Sequence, residues 1–376
     1  MRKILEGSRA IAETVNAIKP DVVSAYPITP QTHIVEDLAK LKANGEADYE
    51  YVRAESEFAA ISIVEGASAT GVRTYTATSS QGLLLMTEVI YNVAGMRLPI
   101  VMTCANRAVS APINIWNDQQ DAVTMRDSGW LMLFGEDNQE VCDLHILAYK
   151  IAEKLSLPVM VNLDGFILTH TIEPVEVEDT KKIQKFLPDY KATDFLDVNN
   201  PLTLGAFATP EHYFEIRKEL HDDIVESKEV TKNEMKEFER VFGRKLNLIE
   251  YYGDKDADTV IIAMGSILGT IKDSVEELQK TGEKIGILKV VGLRPFADKE
   301  IIMALKNTKN IAVIDKSISL GTEGILATEI RRVMDNSKKI TSFIVGLGGR
   351  DIRKETIKNI YTTSKTTKDK VVFIGK

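Results

Sequence analysis

The stretch Val22-Val23-Ser24-Ala25-Tyr26-Pro27-Ile28-Thr29-Pro30 decides how the chain is read. Its first five residues form an apolar run of strand length. The two prolines fix φ and forbid helix, so the strand ends in a stiff, extended loop. Thr29 stands between them with its hydroxyl on a rigid mount. Parallel α/β sheets bind ligands at the carboxyl ends of their strands, which makes the loop a candidate site. A Pro-x-x-Pro spacing also serves simply to break structure.

On either side of this stretch, strand and helix patterns alternate. A helix is expected to end near Ile18, followed by strand 21–26, helix 31–43, strand 48–53 and helix 55–69. Then come strand 72–77, helix 82–94, strand 99–104, a capped helix Asp137–Leu155 and strand 158–163. Such alternation predicts a mostly parallel, doubly wound α/β sheet with both faces covered. Residues 166–210 hold Pro174, Pro188 and Pro201 without a sustained period and read as a long surface connection. From Glu211 to Lys245 acids and bases interleave around a narrow apolar stripe, predicting a surface helical pair or one long helix. A second α/β unit follows from about residue 256, with strands Thr259–Met264, Lys284–Val290, Asn310–Asp315, Ser342–Val345 and Val371–Ile374.

Composition narrows the function. The 376 residues are 44% hydrophobic, enough for two or three domains at about 100–200 residues each. The net charge is -8, and no basic patch gathers, so nucleic acid is not an expected partner. Two cysteines, Cys104 and Cys142, are too few for a disulfide framework or a four-cysteine cluster, and both sit among apolar neighbours. The start lacks an apolar signal core and no apolar run approaches membrane length, which predicts a cytoplasmic chain with no membrane partner. Five histidines show no metal spacing; His145 and His170 stand alone, and no metal ligand is expected.

Several segments are candidates for chemistry. Glu55 and Glu57 open the helix after strand 48–53, where acids complement the helix dipole. Phe58-Ala59-Ala60-Ile61 follows, so one carboxyl can face a buried surface and keep a proton available near neutrality. Thr78-Ser79-Ser80-Gln81-Gly82 precedes Leu83-Leu84-Leu85-Met86; small hydroxyl residues and glycine at a helix start offer free N–H groups to a polar ligand, or plain capping. Arg107, after strand 99–104, suits either a bidentate hold on a carboxylate or a structural ion pair. The loop Asn114–Asp121 mixes tryptophan, amides and acids at a density suited to recognition. Gly346-Leu347-Gly348-Gly349-Arg350-Asp351 fails as a dinucleotide fingerprint because the sixth position lacks glycine.

Read together, Tyr26–Pro30, Glu55-Ser56-Glu57, Ser80–Met86, Asn106-Arg107, Asn114–Asp121, Asp164-Gly165-Phe166, Gly292–Phe296 and Gly346–Asp351 resemble the alpha subunits of the 2-oxoacid:ferredoxin oxidoreductases, most closely the pyruvate type. The match is collinear over nearly the whole chain, though 175–250 carries little of it. The resemblance implies a thiamine-pyrophosphate pyrimidine-binding domain over 1–250, including a helical connector at about 166–250, and a transketolase C-terminal-like α/β domain over 251–376. It implies oxidative decarboxylation of pyruvate to acetyl-CoA and CO2, reversibly, with coenzyme A as acyl acceptor and ferredoxin as electron acceptor.

The same resemblance distributes the parts. Thiamine pyrophosphate would be shared with a beta subunit holding the diphosphate and Mg2+; no Gly-Asp-Gly signature for that task occurs here. Iron–sulfur clusters would lie only on partner subunits of beta and delta type, with a gamma-type subunit completing the complex. Glu57 would protonate the aminopyrimidine and so promote its imino tautomer. Pro27, Ile28, Ser80, Gln81 and Gly82 would line the cofactor, Arg107 would clamp the substrate carboxylate, and Thr29 would bond near the reacting carbonyl. Two alternatives stay open: the same reaction on a branched-chain 2-oxoacid or 2-oxoglutarate, and a scaffold subunit that has lost the chemistry.

Overall fold

The computed structural model describes residues 2–335 and 337–375. The chain opens with β1 (Arg2–Glu6). Strands β2 (Val22–Ala25), β3 (Glu50–Arg53), β4 (Thr74–Thr78), β5 (Val101–Asn106), β6 (Leu131–Phe134) and β7 (Val159–Asp164) follow, and β8 (Ile172–Glu176) returns antiparallel to β1. The second half supplies β9 (Ile249–Gly253), β10 (Thr259–Ala263), β11 (Ile285–Val290), β12 (Gly292–Arg294), β13 (Asn310–Asp315), β14 (Lys339–Val345) and β15 (Val371–Ile374). The first large sheet runs β12-β6-β7-β5-β4-β2-β3 and the second β15-β14-β13-β10-β11-β9. Each is parallel except at one edge pair, β12 with β6 and β11 with β9. Strands β4, β5, β6 and β7 are buried along their whole length, as strands covered on both faces must be.

The order of the first sheet places the site. From β2 the chain steps outward to β3, then crosses back to β4 on the other side of β2. That reversal opens a crevice beyond the carboxyl ends of β2 and β4, and the Tyr26–Pro30 and Thr78–Gly82 segments are the loops at its two walls.

The expected strands and helices form, with local differences. The helix expected over 82–94 is two, Ser80–Leu85 and Thr87–Gly95, meeting at Met86. The connection 166–210 contains β8 and a short helix, Thr180–Phe186. Residues 211–245 form one helix, Pro210–Phe242, rather than a pair. Its second half is held by Phe238 and Phe242, which pack edge-on against Phe186 with ring centroids 5.6 Å apart, while Phe214 and Ile216 in its first half face solvent. Strands β1, β6, β9 and β12 are not expected from the sequence; four- to five-residue runs and a three-residue edge are too short to show a period. Cys104 and Cys142 are free and buried. Among the described residues no helix is long and apolar enough to cross a membrane.

The two sheets share a core. One buried cluster joins Met132 and Met160 of the first to Val260, Leu288 and Val313 of the second. Lys289 on β11 reaches Glu136 at 3.0 Å and Glu140 at 2.7 Å. A buried polar joint forms at Asp164, at the end of β7. It lies 3.1 Å from the Lys316 ammonium and accepts from the Ser266 N–H and hydroxyl at 2.8 and 2.6 Å. Burial pushes its pKa up, but Lys316 and Ser266 outweigh that, leaving it below the ordinary carboxylate value.

A carboxyl whose folded pKa is depressed contributes stability above its unfolded pKa of about 3.9 and loses it as pH falls through the folded value. Lys316→Met leaves this carboxylate buried and unpaired. It is expected to cost about 3–5 kcal/mol, read from urea midpoints at pH 7. The acid limb of the stability curve should also move to higher pH in the variant, because the charged form is no longer favoured.

Candidate active site

Gln31 fixes the Tyr26–Pro30 loop. Its side-chain N–H donates to the Ala77 carbonyl of β4 at 2.6 Å, and its Oε1 accepts from Ile28 N–H at 3.2 Å. Thr29 is exposed, so its hydroxyl is available, while its carbonyl accepts from Arg107 Nη1 at 2.9 Å. Arg107 Nε donates to the Asn114 carbonyl at 3.0 Å. Two of the guanidinium nitrogens thus tie three loops together, and among the described residues Nη2 has no hydrogen-bond partner. Burial lowers the Arg107 pKa, with Asp121 opposing. The charge is therefore held in a poorly hydrated place, where a ligand carboxylate interacts strongly.

The two glutamates separate cleanly. Glu55 is exposed, whereas Glu57 is 7% exposed at the first position of helix Glu57–Ala69. Ser56 caps that helix, accepting from Ala59 N–H at 3.1 Å, so Glu57 is not needed as the cap. Its carboxyl makes no hydrogen bond to another described residue. It lies against Gly82, where a Cβ would stand 2.7 Å from Glu57 Oε1 and 2.5 Å from Thr78 Oγ1. Only glycine permits that approach. The Thr78 and Ser79 hydroxyls are buried and have no hydrogen-bond partner among the described residues. An unpaired carboxyl, orphaned hydroxyls and a cradle without a side chain suit a flat heterocycle carrying donors and acceptors.

Ser80 turns β4 into the next helix at φ 48, a left-handed conformation that costs a non-glycine residue about 1–3 kcal/mol. Its hydroxyl lies 2.5 Å from the Ala108 carbonyl and 2.6 Å from Gln81 Oε1, and so serves the turn, while Gln81 Nε2 has no hydrogen-bond partner among the described residues. Its N–H donates to Asp121 Oδ2 at 2.8 Å. Asp121 is wholly buried and also accepts from Arg107 N–H at 3.0 Å, Ala122 N–H at 2.7 Å and the Asn106 amide at 3.2 Å. Burial pushes its pKa up to about 7, against the pull of those backbone donors.

Sequence reasoning quoted Asp121 and Asp164 without giving either a role, and missed Gln31. The available signal was an acid directly before an apolar run, Asp121-Ala122-Val123, where ionised groups are costly unless multiply bonded. The rest of the Asn114–Asp121 loop spans the two halves. Asn117 and Gln119 donate to Asp164 Oδ1 at 3.1 and 3.2 Å, Lys316 Nζ bonds Asn117, and Gly348 N–H donates to Asp118 at 3.0 Å. Gly346–Asp351 is thus a docking turn for this loop. His145 is a core residue, bonded to Thr103 and the Val141 carbonyl. His170 does not stand alone: its ring is 4.7 Å from that of His33 and 4.9 Å from that of Phe166, which packs on Trp116. Histidines 137 positions apart give no spacing signal to a sequence reader.

Residues 13–236 match the family model for pyruvate flavodoxin/ferredoxin oxidoreductase, thiamine diphosphate-binding, and residues 257–357 match pyruvate:ferredoxin oxidoreductase core domain II. Pyruvate synthase subunit PorA of Methanosarcina barkeri is 51% identical over 98% of this chain and 94% of its own length. Ketoisovalerate oxidoreductase subunit VorA of Pyrococcus abyssi is 44% identical over 100% of this chain and 95% of its own. Among solved structures, the 2-oxoglutarate:ferredoxin oxidoreductase from Magnetococcus marinus superposes with a TM-score of 0.73 at 21% identity. It covers 97% of this chain, which spans 65% of that longer one, and shows a shared fold.

Asp121→Asn keeps the shape but turns a carboxyl that accepts from three backbone N–H groups, the Asn106 amide and the Cys104 thiol partly into a donor. Leaving the Ser80 or Arg107 N–H unsatisfied is expected to cost about 1–3 kcal/mol per group, measured as a shift in the urea midpoint. Asp118→Asn, with a single tie to Gly348 and one to Gln120, should cost less.

Proposed function

The chain belongs to the pyruvate:ferredoxin oxidoreductase family, and from that premise we propose that it is the alpha-type subunit of an enzyme oxidising pyruvate. Pyruvate, coenzyme A and two oxidised ferredoxins give acetyl-CoA, CO2, two reduced ferredoxins and a proton, reversibly. The observation that carries this reading is the Glu57 carboxyl: buried, unpaired, and facing Gly82 and the orphaned Thr78 hydroxyl at the switch point of the sheet.

Thiamine pyrophosphate, when bound, supplies a carbon nucleophile for the keto group of a 2-oxoacid and takes up the electron pair left as CO2 departs. Glu57 would hold a proton at a ring nitrogen of its aminopyrimidine. Pro27 and Ile28 form the apolar wall, and Gly82 lets the ring approach. Gln81 Nε2, Ser79 and Thr78 remain as polar partners. Arg107 presents Nη2 to the substrate carboxylate, and Thr29 offers its exposed hydroxyl to the reacting carbonyl oxygen.

A beta subunit would hold the diphosphate and Mg2+, and iron–sulfur clusters would lie on beta- and delta-type partners beside a gamma-type subunit. The absent Gly-Asp-Gly signature and the burial of both cysteines support this. So do apolar side chains exposed beside the crevice: Tyr26 directly follows β2 and Phe58 lies in the first turn of the helix after β3, where a partner chain would cover them. The proposed division into a cofactor-binding unit over 1–250 and a second unit over 251–376 is one of sequence order, since β9 spans residue 250 and β12 completes the first sheet. The high identity to a ketoisovalerate subunit keeps a branched-chain 2-oxoacid as the second reading.

Coenzyme A-dependent dye reduction by the assembled complex, with a panel of 2-oxoacids, decides the substrate; faster turnover of 2-oxoisovalerate than of pyruvate would reassign it. Glu57→Gln should lower kcat by about 10²–10⁴-fold. Full activity in that variant would remove the proton role. Arg107→Lys should raise the pyruvate KM and lower kcat, together about 2–5 kcal/mol of lost transition-state binding.

A further inference from the structure

Outside the crevice, three ligand-bearing side chains meet that the reaction does not use. They are Glu6 at the end of β1, His33 in the first turn of helix Thr32–Ala43, and His170 in the loop after β7. One ligand atom of each lies within 4.8 Å of the other two. Glu6 Oε1 is 2.7 Å from His33 Nδ1, and the two imidazoles stand 4.7 Å apart, tilted by 38°. An ion pair between Glu6 and His33 explains those two residues but not why a second imidazole is brought beside them.

We propose that Glu6, His33 and His170 form a binding site for a divalent metal ion of the zinc class. Two nitrogens and one carboxylate oxygen are the donor set that such borderline ions select, whereas Mg2+ and Ca2+ take oxygen alone. Ligand atoms around a tetrahedral zinc ion are about 3.4 Å apart, so rotamer adjustments of under 2 Å or so close the cluster around one.

The scaffold beneath is already fixed. Gly7 N–H donates to the Thr171 carbonyl at 3.1 Å, and Ser8 donates to the Thr169 carbonyl through its N–H at 3.0 Å and its hydroxyl at 2.9 Å. These bonds lock the backbone beside Glu6 to the backbone beside His170. His170 is oriented as metal-bound histidines are, with Nδ1 2.7 Å from Thr169 Oγ1, which itself accepts from Phe166 N–H at 2.8 Å. That bond leaves Nε2 as the ligand atom. The His33 side chain is 46% exposed, so an ion has an entry path and an open position for water. The ion would join β1, the helix that follows the Pro27–Pro30 loop, and the loop that seats Phe166 on Trp116.

The test is titration of the full chain, free of added tags, with Co2+ and then Zn2+ in competition. One equivalent of Co2+ should bind with a tetrahedral or five-coordinate visible spectrum, and Zn2+ should displace it. His33→Ala and His170→Ala should each weaken Co2+ binding by at least about tenfold, and Thr169→Val by about tenfold through loss of orientation. His212→Ala/His221→Ala, on the long helix, should bind like the parent. Circular dichroism reports folding of each variant; if His170→Ala does not fold, Glu6→Gln decides in its place. Binding no tighter in the parent than in His33→Ala or Glu6→Gln overturns the proposal, as does a loss confined to the His212→Ala/His221→Ala variant.

Discussion

The Asp121 carboxylate accepts from the backbone N–H groups of Ser80, Arg107 and Ala122 and from the Asn106 amide. It is wholly buried, so each of those bonds replaces water that the folded chain has excluded. Through them one side chain sets the strand-to-helix turn at Ser80, the backbone that carries Arg107, and the start of the helix Gln120–Thr124. The left-handed turn at Ser80 persists because its N–H and hydroxyl are both claimed. Gly82 then falls two residues later, at the point where Glu57 needs room. Carboxyl position, turn geometry and guanidinium position are therefore one constraint rather than three.

A second buried carboxylate, Asp164, plays the corresponding part between the halves. Its partners come from the Asn114–Asp121 loop on one side and from Ser266 and Lys316 on the other. Arg107 is anchored to Asn114 in that same loop. The guanidinium at the crevice is thus referenced to the second sheet as well as to the first, although it projects from the first alone.

Much of this architecture was legible in the sequence because it obeys local rules. Strands β2, β5 and β7 are mostly apolar runs and β4 is rich in β-branched threonine, and Asp137 caps its helix by accepting from Glu140 N–H, as its position implies. Glu57 could be singled out as one of two acids, since Phe58–Ile61 is apolar. The resemblance chose Glu57 over Glu55, and the helix phase set by the Ser56 cap gives the physical reason, burying the first acid of the helix. The unread features are non-local. Gln31 matters for a bond to β4, forty-six positions away, and β12 is three residues whose strand character comes from β6. His33 and His170 meet across tertiary structure, on the helix after β2 and in the loop after β7, and the pairing of β1 with β8 brings Glu6 to them. Burial of an acid and the pairing of distant histidines are decided by tertiary placement, and hydrophobic periodicity carries no record of it.

Strand β12 has a consequence for any attempt to divide the chain. Gly292 and Arg294 supply the antiparallel partner that finishes the edge at Leu133 and Met132, although they lie in the second half of the sequence. Removing everything after residue 250 would bare a flat, fully apolar strand, Leu131–Phe134, with a row of unclaimed peptide groups. Such a margin is a template for self-association. The two halves are woven together, and the amino-terminal part is not a module that can be lifted out and kept in solution.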